Sequence, residues 1–200
     1  MPAGPTLHLT RSRFLIRAAV GAGGAALAGG GLAARASAAE AEQDLAWLRF
    51  GVALEFVSAA YYVRARRSGL FTRAETRVLE RATAAENAHK RAFREALQAA
   101  GEAPIDDADL EVAFPPGSFD GRGPAIALGR SIESMSERAY LGALVEISST
   151  AIRLTVAPVA AAEAEQLAYL TGLSGPPLTD PFPSVHGLAT AAEELARYLP

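Results

Sequence analysis

The sequence predicts an all-α fold, and three observations support this expectation. Long segments without proline carry apolar residues at three-to-four-residue spacing, which is the pattern of one face of an α-helix. No segment alternates apolar and polar residues over a length that would suggest a strand. Glu55 and Glu86 are 31 residues apart and Glu133 and Glu163 are 30 residues apart, and a tyrosine follows Glu55 and Glu133 at the same distance. We therefore expect one helical hairpin used twice.

The N-terminal segment 1–38 is interpreted as a signal peptide that lies outside the fold. A basic stretch without any acidic residue at 11–17 precedes an Ala/Gly run at 18–34. The small-x-small pattern that ends at Ala38 then suits a signal peptidase, so we expect cleavage after Ala38. A membrane anchor is the alternative, but the Ala/Gly run is shorter than the roughly 20-residue span that a bilayer requires. The mature protein is expected to be exported from the cytoplasm.

The export route stays open between two systems. Residues 10–15 look like a twin-arginine signal, except that Ser12 stands where the second arginine is expected. The weak hydrophobicity of the following run favours the twin-arginine system over the general secretory system.

The first hairpin is predicted directly after the signal peptide. Neither proline nor a glycine cluster interrupts 40–67, and a Ser-Gly pair at 68–69 ends this helix. Thr72, followed three residues later by Glu75, has the pattern of a capping box that starts a second helix. Gly101 is expected to end it.

A long connection and a second hairpin follow. The segment 102–124 is rich in Pro, Gly and Asp, which predicts a crossover without continuous regular structure. A third helix is predicted over 125–147 and a fourth over 149–171, where Pro158 is expected to cause a kink or a restart. A Pro-rich tail then leads to a short helix over 188–198. This order is the connectivity of a four-helix bundle with one crossover between helices 2 and 3.

Composition excludes several kinds of site and partner. The 200-residue chain has no cysteine, which excludes disulfides, cysteine-based zinc sites, iron–sulfur clusters and thiol catalysis. Removal of the signal peptide leaves 15 basic and 22 acidic residues, a net charge of about −7. A nucleic-acid partner is therefore not expected, and membrane contact is expected only through an uncleaved signal segment. The oligomeric state stays open.

Four glutamates occupy the apolar faces of the four long helices, so their carboxylates are expected to point into the core: Glu55, Glu86, Glu133 and Glu163. Burial of an isolated charged carboxylate is costly, so four converging carboxylates require cations or shared protons. Bound metal ions meet this requirement. His89 follows Glu86 by three residues, a spacing at which both side chains reach one ion.

These residues belong to a wider resemblance to the ferritin-like superfamily. The chain is most similar to the exported bacterial ferritin-like domain group, which also includes plant desiccation-related proteins, in these segments: 54–56, 61–62, 85–89, 114–119 and 139–143. The resemblance spans about 44–173, within a domain at 39–200 that has a C-terminal tail at 174–200. It implies a ferritin-like four-helix bundle.

The resemblance also implies a dinuclear iron or manganese centre with six ligand positions: Glu55, Glu86, His89, Glu133, Glu163 and Gln166. Glutamine stands at the sixth position, where the di-iron members have histidine, and an amide oxygen is a weaker ligand for first-row metals. One metal position, made by Glu55, Glu86 and His89 with a bridging Glu133, is therefore expected to be intact. The second is expected to be weaker, with Glu137 near enough to approach it.

The function that the resemblance implies is metal binding outside the cytoplasm, with oxidation of Fe(II) by dioxygen or peroxide as its reaction. Whether the protein is an enzyme, a di-metal oxidoreductase, stays open. The alternative is a non-catalytic structural or stress-protection bundle with a degenerate metal site. Tyr62 and Tyr140 are interpreted as core aromatic residues in preference to redox relays. His186 is interpreted as a solvent-exposed histidine.

Overall fold

The computed structural model describes residues 32–103, 105–175 and 183–200, and side chains from residue 37 onward within these ranges. The helices in them are α1 (Leu32–Arg67), α2 (Arg73–Ala99), α3 (Arg122–Glu146), α4 (Thr150–Ser174) and α5 (Leu188–Leu195). The described ranges contain no strand, and the predicted all-α class is confirmed. The basic and Ala/Gly stretches of the expected signal peptide lie almost entirely outside the described residues.

The four long helices form a bundle. Helix α1 packs along α2, α3 packs along α4, and α1 with α3 and α2 with α4 complete the contacts around the core. The short helix α5 covers α3 and α1 at the side. Within the described ranges, no helix is both long enough and apolar enough to cross a bilayer.

The first hairpin follows its sequence signals at the turn between its helices and at the end of α2, but not at its start. Helix α1 begins at Leu32 instead of residue 40, so the expected cleavage position at Ala38 lies inside this helix. The capping box is present, because the Thr72 hydroxyl accepts from the Glu75 amide at 3.3 Å and the Glu75 carboxylate accepts from the Thr72 amide at 2.8 Å. Gly101 adopts a φ of 85° immediately after α2, the left-handed conformation that glycine tolerates at a helix end.

The second hairpin differs from its prediction in α4. This helix passes through Pro158 without a restart and continues to Ser174, so its predicted end at residue 171 is wrong. Pro158 has no amide hydrogen, so the carbonyl of Leu154 loses its helical hydrogen bond. Both residues are exposed, so solvent can satisfy that carbonyl. The helix ends where Gly175 adopts a φ of 84°.

The crossover and the tail are held to the bundle by specific contacts. Asp107, in a short 3-10 helix of the crossover, accepts from Lys90 at 3.0 Å and from Arg94 at 2.6 Å. In the tail, the amide of His186 donates to the carbonyl of Arg138 at 3.1 Å.

The prediction that His186 is an exposed residue is wrong. It is half-buried, and its ring nitrogen lies 3.2 Å from the Glu194 carboxylate. The backbone of His186 rests on α3 at Gly142, where a Cβ atom would overlap the His186 carbonyl oxygen. The tail therefore packs tightly on the bundle at this point, which its Pro-rich composition did not indicate.

Candidate metal centre

Each of the four long helices contributes one fully buried glutamate to the core. Glu55 on α1, Glu86 on α2, Glu133 on α3 and Glu163 on α4 each have 0% of their surface exposed. Their burial confirms the prediction made from the apolar helix faces. Glu86, Glu133 and Glu163 lie near the middle of their helices, and Glu55 lies nearer the C-terminal end of α1.

His89 joins three of these carboxylates in one cluster. Its Nδ1 lies 3.2 Å from an oxygen of Glu55, 3.3 Å from an oxygen of Glu163 and 3.6 Å from an oxygen of Glu86. One ligand atom from each of the four residues lies within 4.8 Å of the others. The Glu-x-x-His spacing on α2 therefore brings both of its side chains to the same place, as expected.

Glu163 of α4, one of the six expected ligands, is the carboxylate of the second hairpin that lies in the cluster with His89. The bridging role expected for Glu133 stays a prediction. Burial, followed by the charges of Glu163 and Glu86, raises the pKa of Glu133. Glu137 is half-buried and does not belong to the cluster.

Many polar atoms of the centre have no hydrogen-bond partner among the described residues. They are both carboxylate oxygens of Glu86, Glu133 and Glu163 and both amide atoms of Gln166. Buried polar atoms in folded proteins are almost always satisfied, and each one left without a partner costs about 1–3 kcal/mol. Metal cations bind carboxylate and amide oxygens, so these groups fit one or two bound cations. The amide of Gln166 belongs to this unpartnered group, and its ligand role stays a prediction.

Burial and mutual repulsion raise the pKa values of three of the carboxyl groups. For Glu55 the main cause is burial, followed by the charge of Glu86. For Glu133 it is burial, followed by the charge of Glu163. Burial and then the charge of Glu55 raise the pKa of Glu163 to about 8. Without a cation, the centre therefore favours protonated carboxyl groups.

The imidazole of His89 responds in the opposite way to the same surroundings. Burial by itself lowers the pKa of His89, but its contacts with Glu163, Glu55 and Glu86 outweigh this effect and raise it to about 12. The carboxylates thus favour a positive charge at the position of the ring. A metal cation satisfies the same preference, with the neutral imidazole as one of its ligands.

Two buried tyrosines contact the centre and were interpreted from the sequence only as core residues. Tyr140 of α3 donates a hydrogen bond to the Glu55 carboxylate of α1. For Tyr62 of α1, burial and then the charge of Glu133 on α3 raise the pKa of the hydroxyl. The signal for this role was present in the sequence, since each tyrosine follows a buried glutamate by seven residues, two helical turns along the same face.

Comparison with known protein families gives a match that covers the bundle. The family model described as a ferritin-like domain matches residues 43–176, two thirds of the chain. All six predicted ligand positions lie within the matched segment. No curated protein matches the chain.

Proposed function

The chain belongs to the ferritin-like domain family, and we propose that it binds iron or manganese ions in the bundle core as an exported protein. The observation that carries this proposal is the convergence of Glu55, Glu86, His89 and Glu163 with ligand atoms within 4.8 Å of one another. The unpartnered carboxylate oxygens around them support it, because cations would satisfy groups that are otherwise costly to bury.

The residues suggest two unequal metal positions. Glu55, Glu86, His89 and Glu163 would hold the first ion. Glu133 and Gln166 would complete the second position, where the neutral amide replaces an imidazole. Hence we propose that the second ion binds more weakly than the first.

Oxidation of Fe(II) is the reaction that this centre fits best. Two ferrous ions in the centre would supply two electrons for the reduction of dioxygen or peroxide. The buried carboxylates hold the ions out of bulk water, and Tyr140 fixes the orientation of Glu55 by its hydrogen bond. Only His89 among the clustered ligands has an appreciable exposed fraction, 15% of its side chain, so small reactants would approach the centre from its side.

Export is the second part of the proposal. The basic stretch at 11–17, the Ala/Gly run at 18–34 and the small residues that end at Ala38 support a cleaved signal peptide at 1–38. Membership of the exported, desiccation-related ferritin-like group is proposed on the resemblance in segments 54–56, 61–62, 85–89, 114–119 and 139–143. Mass spectrometry of protein recovered from the cell envelope or medium tests export, with an N-terminus at Ala39 as the expected result.

Metal content tests the main proposal. Protein purified through its export route is expected to contain Fe or Mn by elemental analysis and to take up Fe(II) under anaerobic conditions. Glu163→Gln should reduce uptake, because it removes a buried charged ligand, whereas Glu165→Gln on the exposed side of α4 should not. Near-zero metal content together with no uptake of Fe(II) would instead support the non-catalytic structural or stress-protection bundle.

A further inference from the structure

One end of the bundle carries a concentration of positive charge. The end of α1, the starts of α2 and α3 and the end of α4 meet there. Arg122, the first residue of α3, donates to Glu75 near the start of α2 at 2.6 Å and to the Leu173 carbonyl near the end of α4 at 3.4 Å. Arg64, near the end of α1, lies 4.8 Å from the ring centroid of Phe119, just before α3. All four long helices therefore contribute one terminus to this end.

The charge of this end is opposite to that of the rest of the protein. The segments 63–81, 119–130 and 169–175 contain eight arginines and three acidic residues, a net charge of about +5. The remainder of the chain after the expected signal peptide has seven basic and 19 acidic residues, a net charge of about −12. The eight residues are called the arginine end below: Arg64, Arg66, Arg67, Arg73, Arg77, Arg81, Arg122 and Arg130. The molecule is therefore strongly polarised.

The guanidinium groups of the arginine end are available to a partner. Five of the eight residues are exposed and the other three are half-buried. Within the described part of the chain, Arg122 pairs with the Glu75 carboxylate, and no other member of the set forms an ion pair. Arg130 donates only to a hydroxyl, that of Ser174 at 3.2 Å. Most of the positive charge is thus not neutralised by a neighbouring carboxylate.

Several of these arginines are unfavourable for the helices that carry them. Arg73 is the first residue of α2 and Arg122 is the first residue of α3, where the positive end of the helix dipole disfavours a cation. Arg73, Arg77 and Arg81 follow one another at four-residue spacing, so like charges repel along one side of α2. The arginines at the end of α1 suit the dipole of that helix, but those on α2 and α3 are not explained by helix stability.

The distribution of the arginines fits an extended anionic surface better than a single small anion. They belong to three helices and lie on both sides of the turn 68–72. Residues 73 and 81 alone are about 12 Å apart along the axis of α2. A single phosphate ion cannot contact charges that are spread in this way, whereas a surface of many phosphate groups can.

The negative remainder of the protein lies away from such a surface when the bundle stands on its arginine end. The start of α1 and the end of α2 form the opposite end, where Glu42 and Glu102 both pair with Arg49. Helix α3 has 25 residues and spans roughly 37 Å. Charges in physiological salt are screened beyond about 8 Å, so the opposite end contributes little repulsion.

We propose that the arginine end binds the surface of a membrane that contains anionic phospholipids. Arginine forms paired hydrogen bonds with phosphate oxygens, and each arginine close to such a surface strengthens binding about fivefold. The folded bundle makes this contact, which is separate from any contact through an uncleaved signal segment. Its use in the cell rests on the proposed export, because an exported protein meets the outer faces of membranes and not the nucleic acids of the cytoplasm. The binding itself requires neither export nor metal.

Co-sedimentation with lipid vesicles measures this binding. Full-length protein is mixed with vesicles of phosphatidylcholine alone or of an equal mixture of phosphatidylcholine and phosphatidylglycerol. The expected result is stronger binding to the mixed vesicles, which weakens as the salt concentration rises. The double variant Arg73→Gln with Arg77→Gln should bind the mixed vesicles about 25-fold more weakly. Its helices should be at least as stable as those of the wild type, because it removes unfavourable cations from the start of α2.

A matched control removes the same charge elsewhere. Arg91→Gln with Arg153→Gln changes two arginines outside the arginine end and without ion pairs to described carboxylates, so vesicle binding should stay as in the wild type. In the opposite direction, Glu80→Gln removes an exposed acidic residue from the arginine end and should strengthen binding about fivefold. Every protein in the set carries the same N-terminal segment, so differences between them report on the bundle.

Four results would overturn the proposal: no preference for the mixed vesicles, equal losses in the two double variants, displacement by inorganic phosphate at the concentration of the lipid phosphate, or equally tight binding to duplex DNA. Displacement would assign a small-anion site, and DNA binding would assign a nucleic-acid surface. Uptake of Fe(II) should be the same in all these variants. Failure of metal uptake would therefore affect only the proposed function, and loss of vesicle binding would affect only the role of the arginine end.

Discussion

Tyr140 of α3 donates a hydrogen bond to the carboxylate of Glu55 on α1. Tyr62 of α1 lies in the corresponding place near Glu133 of α3, where burial and then the charge of Glu133 raise the pKa of its hydroxyl. The Tyr140 hydrogen bond connects the two hairpins across the centre and orients Glu55, whose own helix carries no histidine.

Loss of the Tyr140 hydroxyl should weaken metal binding. Tyr140→Phe keeps the ring but removes the donor to Glu55, so the affinity for Mn(II) or Fe(II) should fall by about 10–100-fold, as for other groups that orient metal ligands. An anaerobic calorimetric titration with the metal ion measures this affinity. Tyr169→Phe, a half-buried tyrosine on α4 outside the cluster, is the control and should leave the affinity unchanged. Equal affinities for all three proteins would show that Tyr140 has no role in orienting Glu55.

Substitutions at His89 and Gln166 should separate the two metal positions. His89→Ala removes the imidazole of the clustered set and should weaken the tighter ion strongly, whereas Gln166→Ala removes a weak amide ligand and should have a small effect. Gln166→His should raise the affinity for the second ion, because it restores the Glu-x-x-His pairing with Glu163. Fe(II) or Mn(II) titration gives both stoichiometry and affinity. Two equal sites in the wild type, or no change in Gln166→His, would contradict the ligand position of Gln166.

The metal-free protein should lose stability as the pH rises from about 5 to about 8. The pKa of Glu163 rises from 4.5 in an unperturbed carboxyl group to about 8 in the folded chain, so in this range the folded state retains a proton that the unfolded state has released. The raised pKa of His89 acts with the same sign from 6.5 upward. Stability is then highest at the acidic end of the range, and it falls as protons leave the centre.

Thermal unfolding of chelator-treated protein at several pH values measures this slope. Glu163→Gln should make the slope shallower, and Glu165→Gln should not change it. Saturation with Mn(II) should remove or reverse the slope, since the ligands bind metal in their deprotonated forms. A melting temperature that rises steadily from pH 5 to pH 8 in the metal-free protein would contradict the raised pKa values.

The contact between the tail and α3 should be sensitive to a single methyl group. In Gly142→Ala the new Cβ would overlap the His186 carbonyl, so the tail or the helix has to shift, at a cost of about 1–3 kcal/mol in the free energy of unfolding. Gly172→Ala is the matched control, because no atom lies within 4 Å of a Cβ there, and it should stabilise α4 by about 0.4–1 kcal/mol. Urea denaturation of the three proteins measures both values. Equal stability of Gly142→Ala and the wild type would show that the tail is not seated on α3.

Local sequence determined the helices and the residues that face the core. The apolar spacing around Glu55, Glu86, Glu133 and Glu163 predicted their burial, because helical periodicity alone fixes which side chains share a face. The capping box at Thr72 and Glu75 and the glycine at 101 fixed helix ends, since these signals act through backbone hydrogen bonds within a few residues. The continuation of α4 to Ser174 was missed because Gly172 is also compatible with a helix interior.

Only the tertiary structure decided which groups meet across the bundle. The position of Glu163 beside His89, the contact of Tyr140 with Glu55 and the seating of His186 on Gly142 depend on how far the helices are shifted and rotated against one another. That arrangement is set by the packing of many side chains from distant segments, and no local pattern encodes it. The sequence by itself therefore determined the ligand types and the helices that carry them, and the packing of the helices decided their partners.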